Sequence, residues 1–93
     1  MTVNKTLIQI EKKVILPKQI KAARALLGLN QEELARAAGI GSATLKRVEA
    51  TDEIRGAAGT IWKIEQALEK AGVEFIPAGG GKGPGVRLAD GGT

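Results

Sequence analysis

Apolar residues recur at helical spacing through the middle of this 93-residue chain, and glycines punctuate the runs. Pro17 suits a first helical turn, where its missing N–H has no partner to lose. From Lys18 the apolar positions Ile20, Ala23, Leu26 and Leu27 predict a first helix, ended by Gly28 as a left-handed cap. Asn30 with Glu33 three residues on forms a capping box for a second helix, Gln31 to Ala38, that buries Leu34, Ala35 and Ala38. Gly39 ends it. After Ile40 and Gly41, a third helix from Ser42 to Ala50 buries Leu45 and Val48.

The polar stretch from Thr51 to Gly59 reads as a loop. Thr60 is the expected cap of a fourth helix reaching Ala71, with Ile61, Ile64 and Leu68 on one face and Gly72 as its stop. A strand at Val73 to Ile76, a glycine-rich turn and a strand at Val86 to Leu88 predict a hairpin. The fold class expected is mainly α: a four-to-five-helix bundle with a short C-terminal β-hairpin. Residues 1–16 read as an extension, 17–72 as the helical domain, 73–88 as the hairpin and 89–93 as a flexible tail. Within the extension, TLIQIE (Thr6 to Glu11) is β-prone and suits a strand added to the hairpin, within one chain or across a dimer. Its lysines suit a phosphate backbone instead, and of the two readings the added strand is the favoured one.

Composition narrows the chemistry. With 43% hydrophobic residues but only Trp62 and Phe75 aromatic, the core is built from small aliphatics, as suits helices. Cysteine and histidine are both absent, so disulfides, thiolate or imidazole metal sites and histidine base catalysis are absent with them. The reading is therefore of a protein that is not an enzyme and holds no cofactor. No apolar run is long enough to span a membrane, and Met1 to Lys13 lacks the apolar block of a signal peptide, which leaves the cytoplasm as the expected compartment. A net charge of +4 favours an anionic partner. The charge is concentrated early: residues 1–27 hold six cations against Glu11 alone.

Two helices packed through a tight turn make specific demands on Gln31 to Ala50, QEELARAAGIGSATLKRVEA. Apolar residues are required where Leu34, Ala38, Ile40, Leu45 and Val48 stand. A small residue is needed where the helices cross, and Ala35 supplies it. A residue tolerant of positive φ is needed at the turn, and Gly39 supplies that. The run ALLGLNQEELARAAGIGSATLKRVE resembles the phage repressor and Cro-like, or XRE-family, helix-turn-helix regulators from about Pro17 to Gly72. AGVEFIP and GPGVRL are similar to endings of small bacterial members.

The resemblance implies a lambda-repressor-like domain whose third helix enters the major groove of double-stranded DNA. It places Ser42, Ala43 and Arg47 against bases, with the Arg47 fork suited to guanine O6 and N7. Gln31 and Asn30, beside a helix N-terminus, are placed on phosphates, Asn30 also capping. Thr44, Lys46 and Arg55 are assigned to phosphates as well. Arg24 and Glu49 match positions of a structural ion pair between the first and third helices. Gly41 departs from the usual Ser or Thr cap of the third helix, and the extension before Pro17 is longer than a minimal domain requires. The function implied is a bacterial or phage-encoded repressor, dimeric on a pseudo-palindromic operator. The alternative is an antitoxin or co-regulator whose terminal segments also bind a protein partner.

Other features invite other readings. GGGKGPG resembles a phosphate-cradling loop, but Gly83 follows Lys82 where Ser or Thr is required, and no helix follows. Glu32, Glu33, Glu65 and Glu69 read as exposed helical carboxylates, and Trp62 as an anchor of the core or of a dimer interface.

Overall fold

The computed structural model describes residues 15–52 and 58–91. The TLIQIE stretch, Arg55 and the last two residues of the tail lie outside them. Four helices are followed by a hairpin: α1 (Pro17–Leu27), α2 (Gln31–Ala38), α3 (Ser42–Glu49), α4 (Ala58–Ala71), β1 (Val73–Ile76) and β2 (Gly85–Leu88).

The helices meet over one core. Ile20 and Ala23 of α1, Leu34, Ala35 and Ala38 of α2, Leu45 and Val48 of α3, and Ile61, Ile64 and Leu68 of α4 are all buried. Ile15 ahead of α1 and Val73 at the start of β1 close the two ends of this core. Each contact is an aliphatic branch taken out of water, about 1.5–3 kcal/mol for a Val, Leu or Ile fully buried.

The helix ends follow the sequence closely. Asn30 Oδ1 accepts from the Glu33 N–H at 2.7 Å while Glu33 Oε1 accepts from the Asn30 N–H at 2.9 Å, so the box before α2 is closed on both sides. After α2, the Ile40 N–H reaches the Ala35 carbonyl at 3.0 Å and the Gly39 N–H reaches that of Arg36 at 3.2 Å. That pair of bonds turns the chain sharply and needs a left-handed residue, which Gly39 provides at φ 73. The same arrangement closes α1 at Gly28.

Six features depart from the expected pattern. α4 begins at Ala58, two residues before Thr60, so Thr60 lies inside the helix and does not cap it. α3 ends at Glu49, with Ala50 as its cap, and β2 starts one residue early at Gly85. Leu26 is 44% exposed, because the buried stripe of α1 runs through Gln19, Ile20 and Ala23. Glu65 is 4% exposed, not on an outer face, since it lies a turn from both Ile61 and Leu68 on the core side of α4. Trp62 is 60% exposed and takes no part in the core.

The hairpin pairs Val73 with Leu88, Glu74 with Arg87, Phe75 with Val86 and Ile76 with Gly85. Two polar contacts lash it to the helices. Gln19, buried in the first turn of α1, accepts from the Leu16 N–H at 2.7 Å and donates to the Gly85 carbonyl at 2.8 Å. At the other end, the Ala89 N–H donates to the Gly72 carbonyl at 2.8 Å, so the first residue of the expected tail is fixed to the end of α4. Nothing in the local pattern around Gln19 announced this role.

Candidate nucleic-acid interface

The turn at Gly39 sets α3 across α2, and the pattern of burial then sorts the residues of α3. Leu45, Val48 and Glu49 face inward, while Ala43, Lys46 and Arg47 are exposed and Ser42 and Thr44 half-buried. Positions 43, 46 and 47 lie three and four apart, so their side chains leave the helix on one side. Lys46 and Arg47 thus put two cations beside Ala43 on the outward surface of a helix eight residues long. Such a surface fits the width of a DNA major groove and carries the charge that phosphates attract.

Arg47 is held lightly. Its Nη2 donates to Thr44 Oγ1 at 3.3 Å, an exposed contact that water or a base edge displaces at small cost. The bond occupies the Thr44 hydroxyl oxygen and aligns the guanidinium along the helix surface. Gly41 precedes α3 in extended conformation, with no side-chain bond to the first turn; the first N–H groups of α3 are thus left to solvent or ligand.

Asn30 and Gln31 stand at the start of α2, but neither is a loose side chain. The Asn30 oxygen is spent on the Glu33 N–H, so any further contact comes from its amide N–H groups. Gln31 Nε2 donates to Glu49 Oε1 at 2.9 Å. An amide nitrogen has two hydrogens, so the second is free to meet a phosphate oxygen while the first fixes the side chain. Glu32 and Glu33 in the same first turn complement the helix dipole yet lower the local attraction for anions.

Beneath this surface lies the ion pair. Arg24 Nε donates to Glu49 Oε2 at 2.8 Å and Nη2 to Glu49 Oε1 at 2.7 Å, while Nη1 reaches the Leu29 carbonyl at 3.2 Å. Glu49 is 3% exposed, so its carboxylate is held almost wholly by protein donors. The hydrogen bond to Glu49 raises the Arg24 pKa above its usual value, against the opposing effect of burial. α1, α2 and α3 are therefore joined through one carboxylate: Arg24 from the first, Gln31 from the second, Glu49 from the third. The link from Gln31 to Glu49 was not legible in the sequence, because eighteen residues and a turn separate them.

Arg55, assigned to a phosphate from the sequence, lies outside the described residues. Among those that are described, no group of three or more acidic residues is placed to hold a metal ion. No helix is long and apolar enough to cross a membrane.

Comparison with known families agrees with this geometry. A family model described as helix-turn-helix (HTH_3) matches residues 20–75, from Ile20 in α1 to Phe75 in β1, which is more than half the chain. No curated protein matches the chain.

Proposed function

The chain belongs to the XRE-type helix-turn-helix family of DNA-binding transcriptional regulators, and on that premise we propose that it is a sequence-specific repressor. It acts as a dimer on a pseudo-palindromic operator in the cytoplasm of a bacterium or a phage-infected cell. The observation that carries the reading is the outward face of α3, where Ala43, Lys46 and Arg47 stand clear of the core while Leu45, Val48 and Glu49 anchor the helix from behind. Ser42, Ala43 and Arg47 read bases; Asn30, Gln31, Thr44, Lys46 and Arg55 contact phosphates. Arg24 and Glu49 hold the reading helix in place.

One helix of this length reaches only about four or five base pairs, too few to single out a genomic site. Two copies on half-sites one helical turn apart double the reading length. Occupying such a site excludes polymerase, which makes repression the simplest output.

The test is fluorescence anisotropy with labelled duplexes, using the protein's own upstream region and a scrambled control at two salt concentrations. Tight binding to the first, weakened by Arg47→Ala by about 1–3 kcal/mol, supports base reading by α3. Equal, salt-suppressed binding to both leaves only an electrostatic DNA binder. Absence of binding at low salt overturns the proposal.

A further inference from the structure

Gln31, the first residue of α2, is fixed both along its backbone and at the tip of its side chain. The turn just before it is braced by α1. The Leu29 carbonyl accepts from Arg24 Nη1 at 3.2 Å, and the Leu29 N–H reaches the Arg24 carbonyl at 3.0 Å. Asn30 is locked next to it by the closed capping box with Glu33. The half-buried Gln31 side chain then donates through Nε2 to Glu49 Oε1 at 2.9 Å. A glutamine at a helix start is ordinarily spread over several rotamers. This one is tethered.

The acceptor has little else to offer. Glu49 Oε1 also accepts from Arg24 Nη2 at 2.7 Å, and Oε2 accepts from Arg24 Nε at 2.8 Å. With Glu49 only 3% exposed, water does not compete for these oxygens. A bare carboxylate near the start of α2 would repel a phosphate. Arg24 offsets that charge at 2.7 Å, so the pair as a whole presents no net anion. Both lone pairs of Oε1 are engaged, which leaves no place on it for the second Nε2 hydrogen of Gln31. Among the described residues that hydrogen meets no other acceptor. The amide is planar, so holding one hydrogen sets the direction of the other.

We propose that Glu49 is a positioning residue for DNA binding: its bond to Gln31 aims that side chain before DNA arrives, and the remaining amide N–H meets a phosphate oxygen of the duplex. This rests on the phosphate contact assigned to Gln31 above and names what makes that contact effective. Fixing a long polar side chain costs conformational entropy. Here the cost falls on folding, and the phosphate meets a donor already in place. Phosphate contacts set the register in which bases are read. In this chain that contact stands one hydrogen bond from the last residue of α3, the helix that does the reading.

A double-mutant cycle separates positioning from a purely structural role. Gln31→Met removes both amide hydrogens and keeps the length of the side chain. Arg24→Met/Glu49→Met replaces both partners of the ion pair with apolar chains of similar size, an exchange that buried pairs commonly tolerate. Arg24→Met alone breaks the ion pair and leaves the Glu49 acceptor. Each full-length background, with and without Gln31→Met, is checked for folding by circular dichroism and titrated by anisotropy against the upstream and scrambled duplexes. Gln31→Met should weaken binding to both duplexes roughly tenfold in wild type and in Arg24→Met, as a lost charge-assisted bond does. Where Glu49 is gone it should cost almost nothing further.

Nitrogen relaxation of the isotopically labelled wild-type chain needs no variant. Without DNA, the order parameter of the Gln31 side-chain amide should lie near the rigid value of about 0.85, well above the flexible range below about 0.6. Should the doubly substituted chain fail to fold, this measurement decides alone. A Gln31 amide that is flexible until DNA is added overturns the positioning role. An equal loss from Gln31→Met with and without Glu49 overturns it too, and leaves the phosphate contact standing. A Gln31→Met chain that binds both duplexes as wild type does overturns the phosphate contact itself, and the proposal with it.

Discussion

Arg24 grips both oxygens of Glu49, at 2.8 and 2.7 Å, and in doing so closes α1 onto the end of α3. A carboxylate that is 3% exposed cannot exchange these donors for water. Arg24→Met should therefore destabilise the fold by about 2–3 kcal/mol, less than a fully buried pair loses because the arginine keeps contact with solvent. Urea denaturation at neutral pH measures it. Glu49→Gln, which keeps an acceptor and the shape, should lose less. A variant as stable as the wild type would show that the pair contributes geometry alone.

Lys46 and Arg47 differ in what they are expected to contact. Lys46→Ala should weaken binding to specific and scrambled duplexes by the same factor and lower the salt slope by about one, the signature of a lost phosphate contact. Arg47→Ala should weaken the specific duplex selectively. Binding isotherms at several salt concentrations separate the two outcomes.

Gly39 lies at φ 73, and a Cβ built there meets nothing within 4 Å. Gly39→Ala should thus cost about 1–2 kcal/mol through backbone strain alone. Gly39→Asn, which tolerates this conformation better, should recover part of the loss. Thermal melting of the two variants checks the order; a larger loss for Asn would contradict it.

The ion pair between Glu74 and Arg87 lies on the outer face of the hairpin, exposed to solvent. The Arg87 hydrogen bond holds the Glu74 carboxyl below the usual carboxylate range, and its charge adds to the effect. A folded-state pKa that is depressed gives stability above the ordinary carboxylate range, lost as the pH falls through the folded value. Glu74→Gln should therefore differ slightly from wild type at neutral pH and match it in strong acid. Melting curves across the acid range test the sign.

The motif was legible because its demands fall on neighbours in sequence. Leu34, Ala35, Ala38, Gly39, Ile40, Leu45 and Val48 each sit where local periodicity or turn chemistry places them. The errors came where the partner is remote. Gln19 reads as an ordinary polar residue until the Gly85 carbonyl, sixty-six positions away, is brought beside it. Leu26 matches the helical stripe in spacing, yet Gln19 takes the inward place one further turn of the pattern would give to an apolar residue. Glu65 has a charge that argues for solvent and a position that argues for the core, and position decided. The base and phosphate assignments rest on the family's pattern, because no contact within the chain encodes them.

The two lashings of the hairpin, Gln19 to Gly85 and Ala89 to Gly72, connect the first turn of the helical domain to its last. An isolated two-stranded hairpin is barely stable in water. Here its strands lie between the beginning and end of the helical segment, so neither can fray without releasing the other. The hairpin amides should accordingly exchange with deuterium only as fast as the whole domain opens, and the chain should lose its structure in a single step. Shortening it at Gly72 would remove the belt that keeps both ends of the bundle closed.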